Sequence, residues 1–311
     1  MKIVYMGSPG YATTPLEKLI ELDHKIVGVY TQPDRPAGRG KGIRESTVKK
    51  VARDFNLPVF QPTSFKNSEN LKNFLSLKPD LVVIAAYGLI LPKEALSIPR
   101  LGCLNIHPSL LPLHRGPSPV AFSILQGDTV TGVSLMILDE GTDSGPLIAQ
   151  EEEHIRSEDT TETLTIRLFQ KGSELLAKTL PDYWAGKTLQ TPQIDSKATY
   201  ARKLNKEDGR ISWEDSAIEI WRQIKAYSTW PSSYTTWNGK TLKIIDAGPV
   251  NGDNRNEPGT VLVYNEPRHV EVQTGQGALK LKRVQLEGKN PVTVDEFVNG
   301  QPDFRTAVLT H

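Results

Sequence analysis

The chain has 311 residues, more than the commonest single domain, so a larger and a smaller domain, each with its own core, are expected. With 38% hydrophobic and 23% charged residues it has the composition of a globular protein, which excludes fibrous and largely disordered chains. A net charge of +1 excludes a general coat for nucleic acid and confines any such contact to a local patch.

Residues 2–6 form a short β-rich run that ends at Gly7-Ser8-Pro9-Gly10, and residues 14–22 carry apolar side chains at helical spacing. Met1 enters this strand without the basic and apolar regions of a signal peptide, and the single cysteine, Cys103, has no disulfide partner. Both point to a reducing cytoplasm. Residues 25–31 read as a second strand, 46–56 as a helix, 58–61 as a short strand and 68–77 as another helix. This alternation predicts a mostly parallel, Rossmann-like sheet wrapped by helices. Residues 81–86 are a continuous apolar run suited to a central strand covered on both faces, followed by strands at 103–107 and 133–138. Pro, Lys, Asp or Gly interrupts every apolar run well short of the roughly 18 residues of a membrane span.

Residues 162–184 read as a long helix, and the aperiodic polar stretch after it is taken as a linker over residues 189–205. That divides the chain into a domain over 1–188 and a second over 206–311. In the second, one helix at 216–226 precedes short strands punctuated by Asn-Gly, Gly-Asp-Asn and Glu-Pro-Gly turns, a texture that predicts a small β-barrel or sandwich.

Ligands in open parallel sheets lie beyond the carboxyl ends of the strands. Asn105 and His107 fall there, two residues apart and therefore on one face of the sheet. Pro108-Ser109-Leu110-Leu111-Pro112 follows, a turn stiffened by two prolines. Asp143 lies in Asp139-Glu140-Gly141-Thr142-Asp143-Ser144-Gly145, a glycine-containing loop after another strand, from which a carboxylate can reach the imidazole if the strands are neighbours. An Asn, His and Asp set suits acyl transfer to an amine. No serine nucleophile elbow is present, and Cys103, inside a strand, is poorly placed as a nucleophile. The six histidines are scattered and give no metal-ligand spacing, so no metal is expected.

Residues 104–112, Arg115-Gly116 and residues 139–145 together resemble the signature of the 10-formyltetrahydrofolate-dependent formyltransferases. The resemblance implies that Asn105, His107 and Asp143 are catalytic and that 10-formyltetrahydrofolate is the formyl donor. It further implies folate contacts from Ser109, Leu110, Leu111 and Pro112, from the backbone around Tyr87, Gly88 and Leu89, and from the loop around Glu140. Residues 31–42, rich in Gly, Pro and positive charge, resemble the loop by which the tRNA-formylating members of the family enter an acceptor stem. Arg35, Arg39, Lys41 and Arg44 would then contact RNA phosphates, with Lys49, Lys50 and Arg53 extending the patch. Ile211-Ser212-Trp213, Ala226-Tyr227 and Trp230-Pro231 resemble the OB-like second domain of those members, which implies initiator methionyl-tRNA as acceptor. An amino-sugar nucleotide is the alternative. Trp213, Trp221 and Trp230 are read as core side chains rather than base-stacking ones. A monomer is expected.

Overall fold

The computed structural model describes residues 1–37, 42–252, 255–266 and 268–310. It divides into two compact units: Met1–Pro119, Val130–His154 and Thr165–Ala201 form the first, and Val120–Thr129, Ile155–Leu164 and Arg202–His311 the second.

In the first unit the chain runs β1 (Lys2–Gly7), α1 (Thr13–Glu21), β2 (Lys25–Tyr30), β3 (Arg35–Ala37), β4 (Gly42–Arg44), α2 (Thr47–Asp54), β5 (Val59–Phe60), α3 (Ser68–Ser76), β6 (Leu81–Ala85), α4 (Lys93–Leu96) and β7 (Cys103–His107). Helix α5 (Pro119–Gln126), strands β8 (Val130–Ile137) and β9 (Leu147–His154), and helix α6 (Thr161–Trp184) follow, with α5 beyond Pro119 and the first turn of α6 belonging to the second unit. The seven strands of the main sheet lie in the order β5-β2-β1-β6-β7-β8-β9. Pairing is parallel from β5 to β7 and antiparallel from β7 through β9. β1 beyond Lys2 and all of β6 are covered on both faces, which is why residues 3–6 and 81–85 are unbroken apolar runs. Ile3, Tyr5 and Val83 pack on one face with Leu16 of α1 and Leu176 of α6, and Val4, Met6 and Val82 on the other with Phe74 of α3. Ser46 caps α2 by accepting the Lys49 N–H at 3.1 Å.

Strand β9 and helix α5 carry no clear signal in the sequence. β9 is an edge strand with alternating burial whose outer half is an acidic run. Lys171 of α6 meets Glu151 at 3.0 Å and Glu153 at 3.2 Å, so ion pairs rather than apolar residues hold that half in place.

In the second unit α7 (Ala217–Ala226) precedes β10 (Ser233–Trp237), β11 (Lys240–Val250), β12 (Val261–Asn265), β13 (Arg268–Gln273), β14 (Ala278–Leu286), β15 (Val292–Thr293) and α8 (Val294–Gly300). The antiparallel sheet has the order β10-β11-β14-β13-β12, with β15 beside β14. Asn238 and Gly239, both at positive φ, make the tight β10–β11 hairpin turn. The chain's last described residues span the two edge strands. Val261 N–H donates to the Ala307 carbonyl at 2.9 Å on the β12 side, and Thr236 N–H to the Thr310 carbonyl at 3.1 Å on the β10 side. The sheet is thereby joined edge to edge through residues 307–310.

Trp213 is buried in this core and its indole N–H donates to Thr235 Oγ1 at 3.0 Å. Trp221 is partly buried, with Lys225 Nζ 3.9 Å above its ring. Trp230 departs from the expectation of a core position. It is 55% exposed, because it lies in the turn between α7 and β10 rather than on either element. Among the described residues no helix is long and apolar enough to cross a membrane.

Candidate active site

β7 places Asn105 and His107 at the carboxyl edge of the parallel strands, where Asn105 pairs in register with Ile84 of β6 and Met136 of β8, and His107 with Ser134 of β8. Because β8 runs antiparallel, the loop that follows it starts at the opposite end of β7 and must return across the sheet. Asp143 completes the return. Its backbone is left-handed at φ +48°, and its Oδ2 accepts the Gly116 N–H at 2.9 Å and stands 3.6 Å from His107 Nδ1.

His107 is 4% exposed and its Nε2 lies 3.1 Å from the His114 carbonyl. A carbonyl can only accept, so the proton of the neutral ring is on Nε2 and the Nδ1 lone pair faces the Asp143 side. Burial holds the imidazole below the ordinary histidine value, opposed by the Asp143 carboxylate and the His114 carbonyl, which both favour the charged ring. The pair is therefore set up as a neutral base whose protonated form has a carboxylate waiting. Asn105 is only partly buried, and its side-chain amide makes no hydrogen bond among the described residues, which leaves it free to donate to a bound molecule. Cys103, on the same strand, is buried with its thiol pushed up to about 12, which removes it as a nucleophile. Among the described residues no group of three His, Cys, Asp or Glu is arranged to hold a metal ion.

Residues 1–180 match the formyl transferase description, and residues 203–302 match that of the formyl transferase C-terminal domain. The chain belongs to the formyl transferase family. It is 46% identical over 96% of its length to the methionyl-tRNA formyltransferase of Chloroflexus aurantiacus, covering 97% of that protein. It is also 46% identical over 98% of its length to the enzyme of the same name from Dehalococcoides mccartyi, covering 96% of it. Among solved structures, an N-formyltransferase from Helicobacter canadensis in complex with folinic acid and dTDP-3-aminofucose shares the fold at 20% identity, with a TM-score of 0.69 over 90% of this chain and 98% of that one. HypX from Aquifex aeolicus in complex with tetrahydrofolic acid shares it at 19% identity, with a TM-score of 0.66 over 99% of this chain and 48% of that one.

The turn after β7 is built largely for the formyl transferase's own framework. Ser109 Oγ donates to the Leu113 carbonyl at 2.6 Å, the Leu111 N–H donates to Ser134 Oγ at 3.0 Å, and Gln150 Nε2 donates to the Leu111 carbonyl at 2.9 Å. Ser109 and Leu111 are buried, whereas Leu110 and Pro112 are partly accessible. Tyr87 is buried, with its carbonyl engaged by Gln32 Nε2 at 3.1 Å. Gly88, at φ +81°, turns the chain so that Gly88 is exposed and Leu89 half-buried, and Ile90 beyond them is 93% exposed. Glu140 is exposed and pairs with Lys93 at 2.7 Å.

Of the basic residues, Arg39 and Lys41 lie outside the described residues. Arg35 and Arg44 face each other across the β3–β4 hairpin and are exposed, and Arg35 Nη2 donates to Gln32 Oε1 at 3.0 Å. Lys49 and Arg53 are not free charges. Lys49 meets Asp34 at 2.6 Å, and Arg53 meets Glu45 at 2.7 Å.

One group of residues around the site has no signature in the sequence. Residues 191–201 run alongside the start of β9 and the turn that follows β7: the Thr191 N–H donates to the Leu147 carbonyl at 2.9 Å, and the Arg115 N–H to the Thr199 carbonyl at 2.9 Å. Many of their partners are main-chain groups, which composition and periodicity do not reveal.

Proposed function

We propose that this protein transfers the formyl group of 10-formyltetrahydrofolate to the amino group of methionyl-initiator tRNA. The observation that carries the reaction is the free Asn105 amide beside the His107–Asp143 pair at the carboxyl edge of the sheet. The acceptor rests on relatives named for methionyl-tRNA that align over nearly the whole chain, second unit included. In the reaction the amine nitrogen bonds to the formyl carbon, the bond from that carbon to N10 of the folate breaks, and one proton passes from the amine to N10. Asn105 would donate to the carbonyl oxygen as it gains charge, a contact worth on the order of 3 kcal/mol. Neutral His107 would take the amine proton at Nδ1 and return it to N10, with Asp143 stabilising the imidazolium between the two transfers. Such acid–base work contributes roughly 10²- to 10⁴-fold.

Leu110, Pro112 and the backbone at Gly88 and Leu89 would form walls of the folate site, with Ser109, Leu111 and Tyr87 fixing those walls from behind and Glu140 at the rim. Arg35 and Arg44, with Arg39 and Lys41, would contact tRNA phosphates. The protein would act as a monomer in the cytoplasm, where charged initiator tRNA is found.

The test is to supply 10-formyltetrahydrofolate with charged initiator tRNA, an amino-sugar nucleotide or glycinamide ribonucleotide and to measure which becomes formylated. Formylation of the tRNA is expected, and Asn105→Ala, His107→Ala and Asp143→Ala should each lower its rate by at least about 10²-fold. Exclusive formylation of the sugar nucleotide would assign the other acceptor. Near-normal kcat in a variant would remove that residue from the mechanism.

A further inference from the structure

Asn105 and His107 are held by a buried strand, but Asp143 is held by a loop whose neighbouring residues 139–142 are exposed. Its carboxylate reaches His107 only because the backbone at Asp143 is left-handed, a conformation that non-glycine residues adopt at a cost unless the surroundings enforce it. Ser144 and Asp139 hydrogen-bond each other inside the loop at 2.9 Å, which shapes it without anchoring it.

The anchor is Gln193. Its Nε2 donates to the Asp143 carbonyl at 2.9 Å and to the Gly145 carbonyl at 2.7 Å, while its Oε1 accepts from Arg115 Nε at 3.0 Å. The amide can lie only one way round, because two carbonyls need donors and a guanidinium needs an acceptor. Arg115 is itself 2% exposed, fixed at its far end by Asp195 Oδ1 at 2.9 Å. Its main chain pairs with residues 199 and 201. The next residue, Gly116, supplies the N–H that the Asp143 carboxylate accepts. Gly116 stands at φ +115°, and a Cβ there would come within 2.7 Å of the Ala201 carbonyl oxygen, so only glycine permits this approach. Arg115 and Gly116 thus hold Asp143 at both ends, the carboxylate directly and the peptide through Gln193.

We propose that Gln193 is a positioning residue for formyl transfer, its side-chain amide locking the left-handed Asp143 peptide so that the carboxylate stays beside His107 Nδ1. The proposal rests on the catalytic reading of Asp143 given above. Gln193→Met keeps the volume and removes both donors without adding charge. Gln193→Glu keeps acceptors for Arg115 but presents oxygen to the two carbonyls. In both variants kcat for formylation should fall about 10- to 100-fold, as for a catalytic group displaced by about an ångström, with KM for tRNA and donor changing less than threefold.

A readout independent of turnover is the titration of the His107 imidazole followed by NMR, its signal assigned with His107→Gln. The charged and titratable groups facing the ring are Asp143 and His114. Loss of the Asp143 carboxylate from its place should move the His107 titration to lower pH in Gln193→Met, in the same direction as in Asp143→Ala. An unshifted titration would overturn the proposal, as would unchanged kcat or a defect confined to KM. Unfolding of both variants would also overturn it by making Gln193 part of the scaffold. If the wild-type protein fails to formylate methionyl-tRNA, the acceptor reading falls while the titration still decides the role of Gln193.

Discussion

His107 has a carbonyl at one ring nitrogen and a carboxylate near the other, and both favour the imidazolium that its burial disfavours. Burial prevails, so the folded pKa lies below the unfolded value of about 6.5. Between those two values the unfolded chain binds the extra proton, so stability rises with pH through that window. The contribution is complete above pH about 6.5 and is lost as pH falls through the folded value. The acid limb of the kcat/KM profile for formylation is therefore expected below pH about 6.5, where the free enzyme's base becomes protonated. A limb clearly above that pH would mean that the imidazolium is the resting form. The grouping of Asn105, His107 and Asp143 in space was legible because alternation along a strand puts Asn105 and His107 on one face, and because a loop rich in glycine signals a turn that brings a carboxylate back. Gln193 was not legible, since two of its three partners are carbonyl oxygens common to every residue type and the third, Arg115, lies 78 residues away in the chain.

The basic segment after β2 reads in sequence as one patch, and the structure sorts it by element. On α2, Lys49 and Arg53 are taken up by Asp34 and Glu45, whereas on the β3–β4 hairpin Arg35 and Arg44 are exposed and form no ion pair among the described residues. Arg35→Ala and Arg44→Ala are expected to raise KM for methionyl-tRNA. Each should lower the slope of log KM against log salt by about 1 if it loses one phosphate contact. Lys50→Ala, on the following helix, tests whether the patch extends beyond the hairpin. Equal salt slopes in wild type and both hairpin variants would remove the hairpin from the tRNA contact. Parallel strands with buried faces were easy to read from apolar runs, but charge composition could not reveal which cations were already paired. The same limit hid β9, whose acidic residues look like a solvated loop until Lys171 and Arg167 of α6 are placed beside them.

In the whole molecule, each unit depends on a short stretch that looks incidental in sequence. In the second unit residues 307–310 join β12 to β10, so deleting them would expose the hydrogen-bonding edges of both strands. A chain ending at Thr306 is expected to show a thermal transition lowered by several degrees and a greater tendency to aggregate, measured by calorimetry and light scattering. An unchanged transition would show that the sheet does not rely on that closure.

In the first unit the corresponding stretch is 191–201. It lies beyond residue 180, where the match to the formyl transferase description ends, yet it is hydrogen-bonded to the Asp143 loop and to the segment around Arg115. A cut after α6 would keep Asn105, His107 and Asp143 and discard the strap around them. Chimaeras or split versions of the protein that are meant to carry this chemistry should therefore keep residues 191–201 and be joined after Ala201 rather than at the end of the long helix.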